Sequence, residues 1–238
     1  MLLYYVRHGD PIYDPDSLTP LGHRQAEAVA KRLAVHGIDR IFASTSTRAQ
    51  LTAKPTAEIL RKEVELLDFC HENHAWKEFA YPDEDGRERW IFHQVKGIQK
   101  LVSREVRDLG YAWYKHPDFT GHPFQAGVER IDREVDAWLE SLGFKHDRDN
   151  GCYTVLKPNH DRIALFAHQG FGVCFLSSVL DIPLPLVCTH FDHSHTGVTV
   201  IDFKQVGDVV IPKALMVGND GHIYKEGLPT VYDRGERI

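Results

Sequence analysis

The first nine residues constrain the fold of this chain more than any other stretch. Residues 2–6 form a short run of apolar and aromatic side chains on both alternating faces, which is typical of a strand buried on both sides. Arg7, His8 and Gly9 follow directly. The carboxyl end of a buried strand is where an open α/β sheet places its ligands. Gly9 has no side chain, so we expect the backbone there to turn sharply and approach a ligand closely.

The next segment predicts a βαβ unit. Thr19 and Pro20 indicate a helix start, with threonine as the N-cap and proline at the first helical position. The helix should run over residues 21–36 and end at Gly37. Residues 38–43 are rich in strand formers. Two strands joined by a helix favour a parallel sheet.

A second helix and a third strand come next. The hydroxyl-rich stretch 44–47 predicts the N-terminus of a helix that begins near Arg48, where the helix dipole favours anions. We expect Pro55 to kink or restart this helix. Residues 64–67 predict a strand, and the polar stretch 68–79 predicts a loop.

The second half of the chain repeats the pattern of the first strand. Residues 163–167 predict a buried strand that ends in His168, Gln169 and Gly170. The remaining predicted elements are a helix over 127–142, a short strand over 153–156, a helix over 171–180 stopped by the prolines after it, and strands over 198–203 and 211–217, the last at the sheet edge.

The middle of the chain is less regular and aromatic-rich. Residues 80–124 contain helical patterning over 87–109, and no linker composition brackets them. We therefore interpret 80–124 as an insertion that caps one end of the sheet, within a single domain over 1–238. The sequence predicts a three-layer α/β/α fold with a mostly parallel sheet.

Charge and cysteine usage limit the partners and the compartment. The net charge of -6 gives no reason to expect nucleic acid or an anionic membrane as a partner. No apolar stretch has the length of a membrane span, and the first residues show no leader segment. The four cysteines are scattered, which favours a reducing cytoplasm over a disulfide framework. The sequence leaves a homo-oligomer open.

Two histidines and two arginines are predicted to meet at one sheet edge. If the strands are parallel, Arg7, His8, Arg48 and His168 lie at the same carboxyl end. Four cationic or potentially cationic groups in a small volume are costly unless an anion binds there. A phosphoryl group suits this need best, because its negative charge is spread over several peripheral oxygens.

These spaced motifs resemble those of the histidine phosphatase superfamily, to which cofactor-dependent phosphoglycerate mutases also belong. The similarity lies in Arg7-His8-Gly9, in 18–22 with Gln25-Ala26, in Arg48, Ala49, Thr52 and Ala53, in the strand that ends at His168, and in Thr196-Gly197-Val198. It covers the chain apart from the insertion. The resemblance implies a phosphoglycerate mutase-like fold.

The resemblance also implies the roles of the site residues. His8 would be the nucleophile that is transiently phosphorylated, with Arg7, Arg48 and His168 stabilising the transferred group. Glu72 would be the general acid for the leaving alcohol, ahead of the poorer candidates Glu78 and Asp68. The residues predicted to bind substrate or phosphate are Gly9, Thr19, Gln169 and Thr196. The expected ligand is a small-molecule phosphate ester, with no metal and no cofactor.

Some positions depart from the superfamily pattern and leave alternatives open. Gln169 separates the second histidine from glycine, Thr45 replaces a common proline, and Leu51 stands where glutamine is frequent. A phosphoglycerate-type mutase and a non-catalytic phosphate-binding module are the alternatives to a phosphatase.

A cluster of histidines just before Thr196 allows a further alternative. His190, His193 and His195, with Asp192, have a spacing that could form a metal site. We favour contacts of these imidazoles with substrate or with a neighbouring loop.

Overall fold

The computed structural model describes residues 1–230. The strands are β1 (Leu2–Arg7), β2 (Pro11–Tyr13), β3 (Asp16–Leu18), β4 (Arg40–Ser44), β5 (Val64–Leu67), β6 (Ala80–Pro82), β7 (Glu88–Trp90), β8 (Phe144–Asp147), β9 (Cys152–Val155), β10 (Arg162–Ala167), β11 (Val198–Asp202), β12 (Gln205–Val206), β13 (Val209–Val210) and β14 (Lys213–Asn219). The α-helices are α1 (Pro20–His36), α2 (Thr47–Leu60), α3 (Glu72–Phe79), α4 (Val95–Leu101), α5 (Arg104–Asp108), α6 (Phe124–Ser141), α7 (Gln169–Leu180), α8 (Leu184–His190) and α9 (Gly221–Lys225).

The central sheet has six strands in the order β14-β11-β1-β10-β4-β5. Strands β1, β10, β4 and β5 pair in parallel, whereas β11 runs antiparallel to both of its neighbours. The register of the β1–β10 pair places Arg7 opposite Ala167. Consequently His8 and His168, which follow these residues, leave the sheet side by side at one edge.

Helices cover both faces of the sheet. On one face, apolar residues of α1 and α2, such as Val29 and Ala53, pack against Val6 and Ile41. On the other face, α6 and α7 contribute to the larger core cluster, which contains Tyr5 and Phe42 from the sheet. The three-layer α/β/α arrangement with a mostly parallel sheet is confirmed. None of the helices in residues 1–230 is long and apolar enough to cross a membrane.

The structure differs from two local predictions. The segment after β5 is not a loop throughout, because α3 begins at Glu72 and buries Ala75 and Phe79. The helix after Ser46 runs from Thr47 to Leu60 through Pro55, so of the predicted kink or restart the restart does not occur. An eight-residue helix with two buried residues offers little apolar periodicity, which explains the first error.

Residues 80–124 are built from short elements. The predicted helical stretch 87–109 contains the strand β7 and the helices α4 and α5. Side chains from this segment, including Phe92, Leu101 and Trp113, join the same core cluster as the sheet. The predicted helix before the prolines ends at Leu180, and both prolines lie at the start of α8, Pro183 as its N-cap residue and Pro185 in its first turn. The predicted edge strand near the end of the chain is β14. Residues 231–238 of the predicted domain lie outside the described residues.

Candidate active site

The tips of β1 and β10 are held together by backbone hydrogen bonds. The N–H of His8 donates to the carbonyl of Ala167 at 2.9 Å. The N–H of Thr196 donates to the carbonyls of Arg7 at 3.1 Å and His8 at 3.3 Å. Thr196 has a φ of 57°, an uncommon conformation for a residue with a side chain. The backbone that carries His8 is therefore fixed from both sides.

The His8 ring has one defined tautomer. Its Nδ1 lies 2.7 Å from the carbonyl oxygen of Gly9, and a carbonyl can only accept a hydrogen bond. Nδ1 therefore carries the proton, and Nε2 is left with a free lone pair. Burial, and then the neighbouring His168 and Arg7, hold the pKa of His8 well below its ordinary value. The imidazole is thus neutral and able to act as a nucleophile.

His168 is neutral for related reasons. Its Nδ1 accepts from Arg48 at 3.1 Å, because a guanidinium only donates, and its Nε2 donates to the Ser44 hydroxyl at 2.9 Å. Burial, followed by the charge of Arg48, lowers the pKa of His168 well below its usual range. Its ring lies 5.3 Å from that of His8. His168 therefore contacts both Arg48 and the ring of His8.

Two buried arginines supply the positive charge. Arg48 donates to a carboxylate oxygen of Asp16 at 2.8 Å, and Asp16 also accepts from the backbone N–H of Thr47 at the start of α2. Arg7 donates to the carbonyl of His193 at 2.6 Å. A second Arg7 nitrogen lies 2.9 Å from Nε2 of His195. Because a guanidinium remains charged when buried, both arginines can bind an anion.

Glu72 binds the N-terminus of α7. One carboxylate oxygen accepts from the N–H of Gly170 at 2.9 Å and the other from the N–H of Phe171 at 3.0 Å. Burial raises the pKa of Glu72, although these two hydrogen bonds and Arg48 act in the opposite direction. A raised pKa makes the carboxyl group easier to protonate, as a general acid requires.

These side chains line one pocket of about 500 Å³. It contains Arg7, His8, Arg48, Glu72 and Gln169 among the predicted residues, while His168 lies next to it in contact with Arg48. The other lining residues are Tyr13, Asp16, His71, Asn73, Trp76 and Trp90. A neutral imidazole, two cations and a carboxyl group share one cavity, a set that suits transfer of an anionic group.

The sequence model of the histidine phosphatase superfamily (branch 1) matches residues 3–211. The chain belongs to this superfamily.

The individual relatives have low sequence identity to this chain. A protein of Hydrogenobacter thermophilus provisionally named phosphoserine phosphatase 2 is 23% identical over 153 residues, which cover 60% of this chain and 68% of that protein. Among solved structures, phosphoserine phosphatase from Entamoeba histolytica has a TM-score of 0.60 at 19% identity, covering 93% of this chain and 98% of that one. The α-ribazole phosphatase from Shigella flexneri has a TM-score of 0.57 at 19% identity, covering 92% and 97%. These structures share the fold.

Three of the residues predicted to bind substrate or phosphate do not line the pocket. Thr19 caps α1, accepting from the N–H of Gly22 and donating to Asp10. Thr196 supports the β1 tip as described above. Gly9 makes a close approach, but to Gly22 rather than to a ligand, because a β-carbon on Gly9 would lie 2.6 Å from the Gly22 carbonyl oxygen.

The other acids near α3 have separate partners. Glu78 forms a two-point ion pair with Arg130, at 2.5 and 2.6 Å. Asp68 accepts from the Thr45 hydroxyl at 3.0 Å and lies 3.1 Å from His74. Neither lines the pocket.

The histidines before Thr196 contact protein groups in different directions. His193 lies beside Thr199 and packs on Tyr5, and burial lowers its pKa to about 4. His195 contacts Arg7, and His190 lines a neighbouring pocket. In the part of the chain that the structure describes, no group of three or more His, Cys, Asp or Glu side chains is arranged to hold a metal ion.

Sequence reasoning missed Asp16. It is the first residue of β3, at the end of a sequence stretch that contains several acidic residues. Nothing in the local pattern indicates that this one would meet Arg48, which lies on a different element. Only the packing of the β2–β3 hairpin against α2 brings the two side chains together.

Proposed function

We propose that this protein is a phosphatase that hydrolyses small organic phosphomonoesters through a phosphohistidine on His8. The observation that carries the proposal is the hydrogen bond from Nδ1 of His8 to the Gly9 carbonyl, which leaves Nε2 free inside a pocket that also contains Arg7 and Arg48. The match to the superfamily and the phosphatase names of its relatives support it.

In the first step, Nε2 of His8 attacks phosphorus and a P–N bond forms as the P–O bond to the alcohol breaks. The leaving alkoxide takes a proton from Glu72. In the second step, water attacks phosphorus, the P–N bond breaks, and the Glu72 carboxylate receives a proton from that water. Dividing the displacement in this way replaces one difficult step by two easier ones.

The two arginines stabilise the transferred phosphoryl group. Their guanidinium groups are already held by Asp16 and by the His193 carbonyl, so little reorganisation is needed during the reaction. Phosphomonoester hydrolysis without a catalyst is among the slowest reactions, and enzymes accelerate it by up to ~10²¹-fold. Preorganised charge must supply most of that acceleration.

A trapping experiment tests the proposal. The protein is mixed with a ³²P-labelled phosphomonoester, quenched in alkali, and examined for an acid-labile adduct, while inorganic phosphate release is followed in parallel. We expect an adduct and phosphate release, and neither with His8→Ala. An adduct that passes to monophosphoglycerate rather than to water would instead identify a mutase. Binding without adduct or hydrolysis would identify a binding module.

We also propose a cytoplasmic location. All four cysteines, Cys70, Cys152, Cys174 and Cys188, are unpaired in the structure. Free thiols that are mostly buried are typical of proteins from a reducing compartment. Mass spectrometry of thiol alkylation in freshly lysed cells of the source organism would test this, since oxidised cysteines would contradict it.

A further inference from the structure

One part of the pocket wall is formed by the tightly packed Trp90. A β-carbon on Gly170 would lie 2.5 Å from the Trp90 ring, so the indole packs directly on the backbone at the start of α7. Phe92 stacks on Trp90, with ring centroids 5.2 Å apart at 21°. Trp76 meets Trp90 edge to face at 5.1 Å and 89°. Three contacts hold Trp90 in place before any ligand binds.

Two further aromatic residues that line this pocket have exposed surface. Trp76 is 37% exposed and Tyr13 is 70% exposed, and both line the cavity together with Trp90. The Tyr13 ring also lies over the Arg48 guanidinium at 5.5 Å, next to the phosphoryl site. A cavity of about 500 Å³ falls in the range of sites that enclose whole organic ligands. The alcohol part of the ester therefore has room beside these rings.

The charges in the pocket disfavour a second anionic group on the substrate. Among the described residues that line it, the permanent cations are Arg7 and Arg48, which the phosphoryl group requires. Burial, and then the charge of Arg48, lowers the pKa of His71, so its imidazole is neutral. Asp16 and Glu72 add two carboxyl groups to the lining of the same pocket.

A further arginine belongs to a neighbouring cavity. Arg89 lines the neighbouring pocket with His190, and it forms an ion pair with Asp83 at 2.8 Å. Its charge is therefore already compensated outside the phosphoryl pocket. A carboxylate on a short substrate would find no free cation close to the reacting phosphate among these lining residues.

We infer that Trp76, Trp90 and Tyr13 form a binding site for the leaving alcohol, and that this site selects phosphomonoesters of uncharged alcohols with a flat apolar face over short esters that carry a carboxylate. The inference rests on the proposed phosphatase function. Aromatic rings and the C–H faces of sugar rings share this flat apolar chemistry, and the experiment separates the two sources.

The first test compares esters with similar leaving alcohols. To measure the preference for a ring, kcat/KM for 2-phenylethyl phosphate and for glucose 6-phosphate is compared with kcat/KM for butyl phosphate, an open-chain ester. To measure the effect of a second negative charge, kcat/KM for 3-phosphonooxypropanoate is compared with that for propyl phosphate. We expect at least one ring ester to exceed butyl phosphate in kcat/KM by roughly three- to tenfold. We expect the carboxylate to lower kcat/KM by roughly tenfold or more.

The second test uses Trp76→Leu, with Tyr224→Leu as the matched control because Tyr224 is an aromatic residue that is 89% exposed and does not line the pocket. Trp76→Leu should remove most of the ring preference by raising KM more than it lowers kcat, because contacts with the alcohol are made equally in the ground state and the transition state. Tyr224→Leu should leave the preference intact.

Binding of 2-phenylethylphosphonate, which is not hydrolysed, provides a readout independent of turnover. Isothermal titration calorimetry should show tighter binding than for butylphosphonate, and Trp76→Leu should abolish the difference. Equal kcat/KM for ring and open-chain esters, or a preference for the carboxylate ester, would overturn the inference while leaving phosphatase activity intact. Absence of hydrolysis of every ester would refute the proposed function instead.

Discussion

Replacing Glu72 by glutamine separates its two roles. Both carboxylate oxygens accept backbone N–H groups at the start of α7. Glutamine has only one oxygen, so its NH₂ group would face either Gly170 or Phe171 and leave that N–H without an acceptor. A hydrogen bond to a charged group contributes about 1.5–3 kcal/mol, and a carboxylate at a helix N-terminus about 0.3–1 kcal/mol more.

Part of this loss is offset, because the variant no longer buries a charge. Burial raises the pKa of Glu72, so ionising it in the folded protein is unfavourable. We therefore expect Glu72→Gln to lower the free energy of unfolding by about 1–3 kcal/mol. Chemical denaturation at neutral pH measures this change. An unchanged midpoint and slope would refute the account of the hydrogen bonds.

The catalytic effect should depend on the leaving group. General acid catalysis typically contributes about 10²–10⁴-fold, and an alkoxide needs that proton whereas p-nitrophenolate does not. Glu72→Gln should therefore slow butyl phosphate by about 10²-fold or more and p-nitrophenyl phosphate far less. Glu78→Gln is the control, because Glu78 lies on the same helix but pairs with Arg130. Equal losses for both esters with Glu72→Gln would remove Glu72 as the acid.

Three further predictions concern charged groups. Because burial and the nearby His168 and Arg7 hold the pKa of His8 well below its ordinary value, its NMR imidazole signals should not titrate between about pH 7.5 and about pH 5.5; a midpoint near 6.5 would contradict this. Burial would lower the pKa of His146, but hydrogen bonds to Asp136 and Asp181, both at 2.8 Å, outweigh it and raise that pKa. The stabilising contribution of His146 is thus complete below about pH 6.5 and is lost as the pH rises through the higher pKa of the folded state. His146→Gln should therefore lower the free energy of unfolding by about 3 kcal/mol at about pH 6 and by clearly less at about pH 9. The control His23→Gln, at an exposed residue, should show no such trend. Asp16→Asn should raise KM for any phosphomonoester by roughly tenfold, because Arg48 loses its charged partner; unchanged steady-state kinetics would show that Asp16 does not position Arg48.

The sequence predicted the sheet well because its strands are strongly patterned. The stretches that form β1 and β10 are apolar on both faces, and α1 has a threonine N-cap with proline in the first turn, so local physics and the final fold agree. The helices α3 and α8 were missed. The first is short and polar, and α8 begins among prolines, which also end helices.

The site was harder to predict than the fold. Arg7, His8 and Arg48 could be placed because each follows a strand end or opens a helix on the same edge of the sheet. Glu72 came from resemblance alone, and its hydrogen bonds to α7 could not be foreseen from a segment read as a loop. Thr19 was correctly predicted as an N-cap. The resemblance also implied that Thr19 binds substrate or phosphate. Its place as the N-cap of α1, outside the pocket lining, gives that role no support.

The contact between Gly9 and Gly22 bears on how substrate enters and product leaves. A β-carbon on either residue would overlap backbone of the other segment, so the peptide that carries the nucleophile is seated directly on the first turn of α1. Thr52 of α2 adds a hydrogen bond to the N–H of Gly9 at 3.0 Å. This side of the cavity is closely packed and has little room to move. We therefore expect an opening that releases product to involve other lining elements, such as the β2–β3 hairpin and the tryptophans, rather than this peptide.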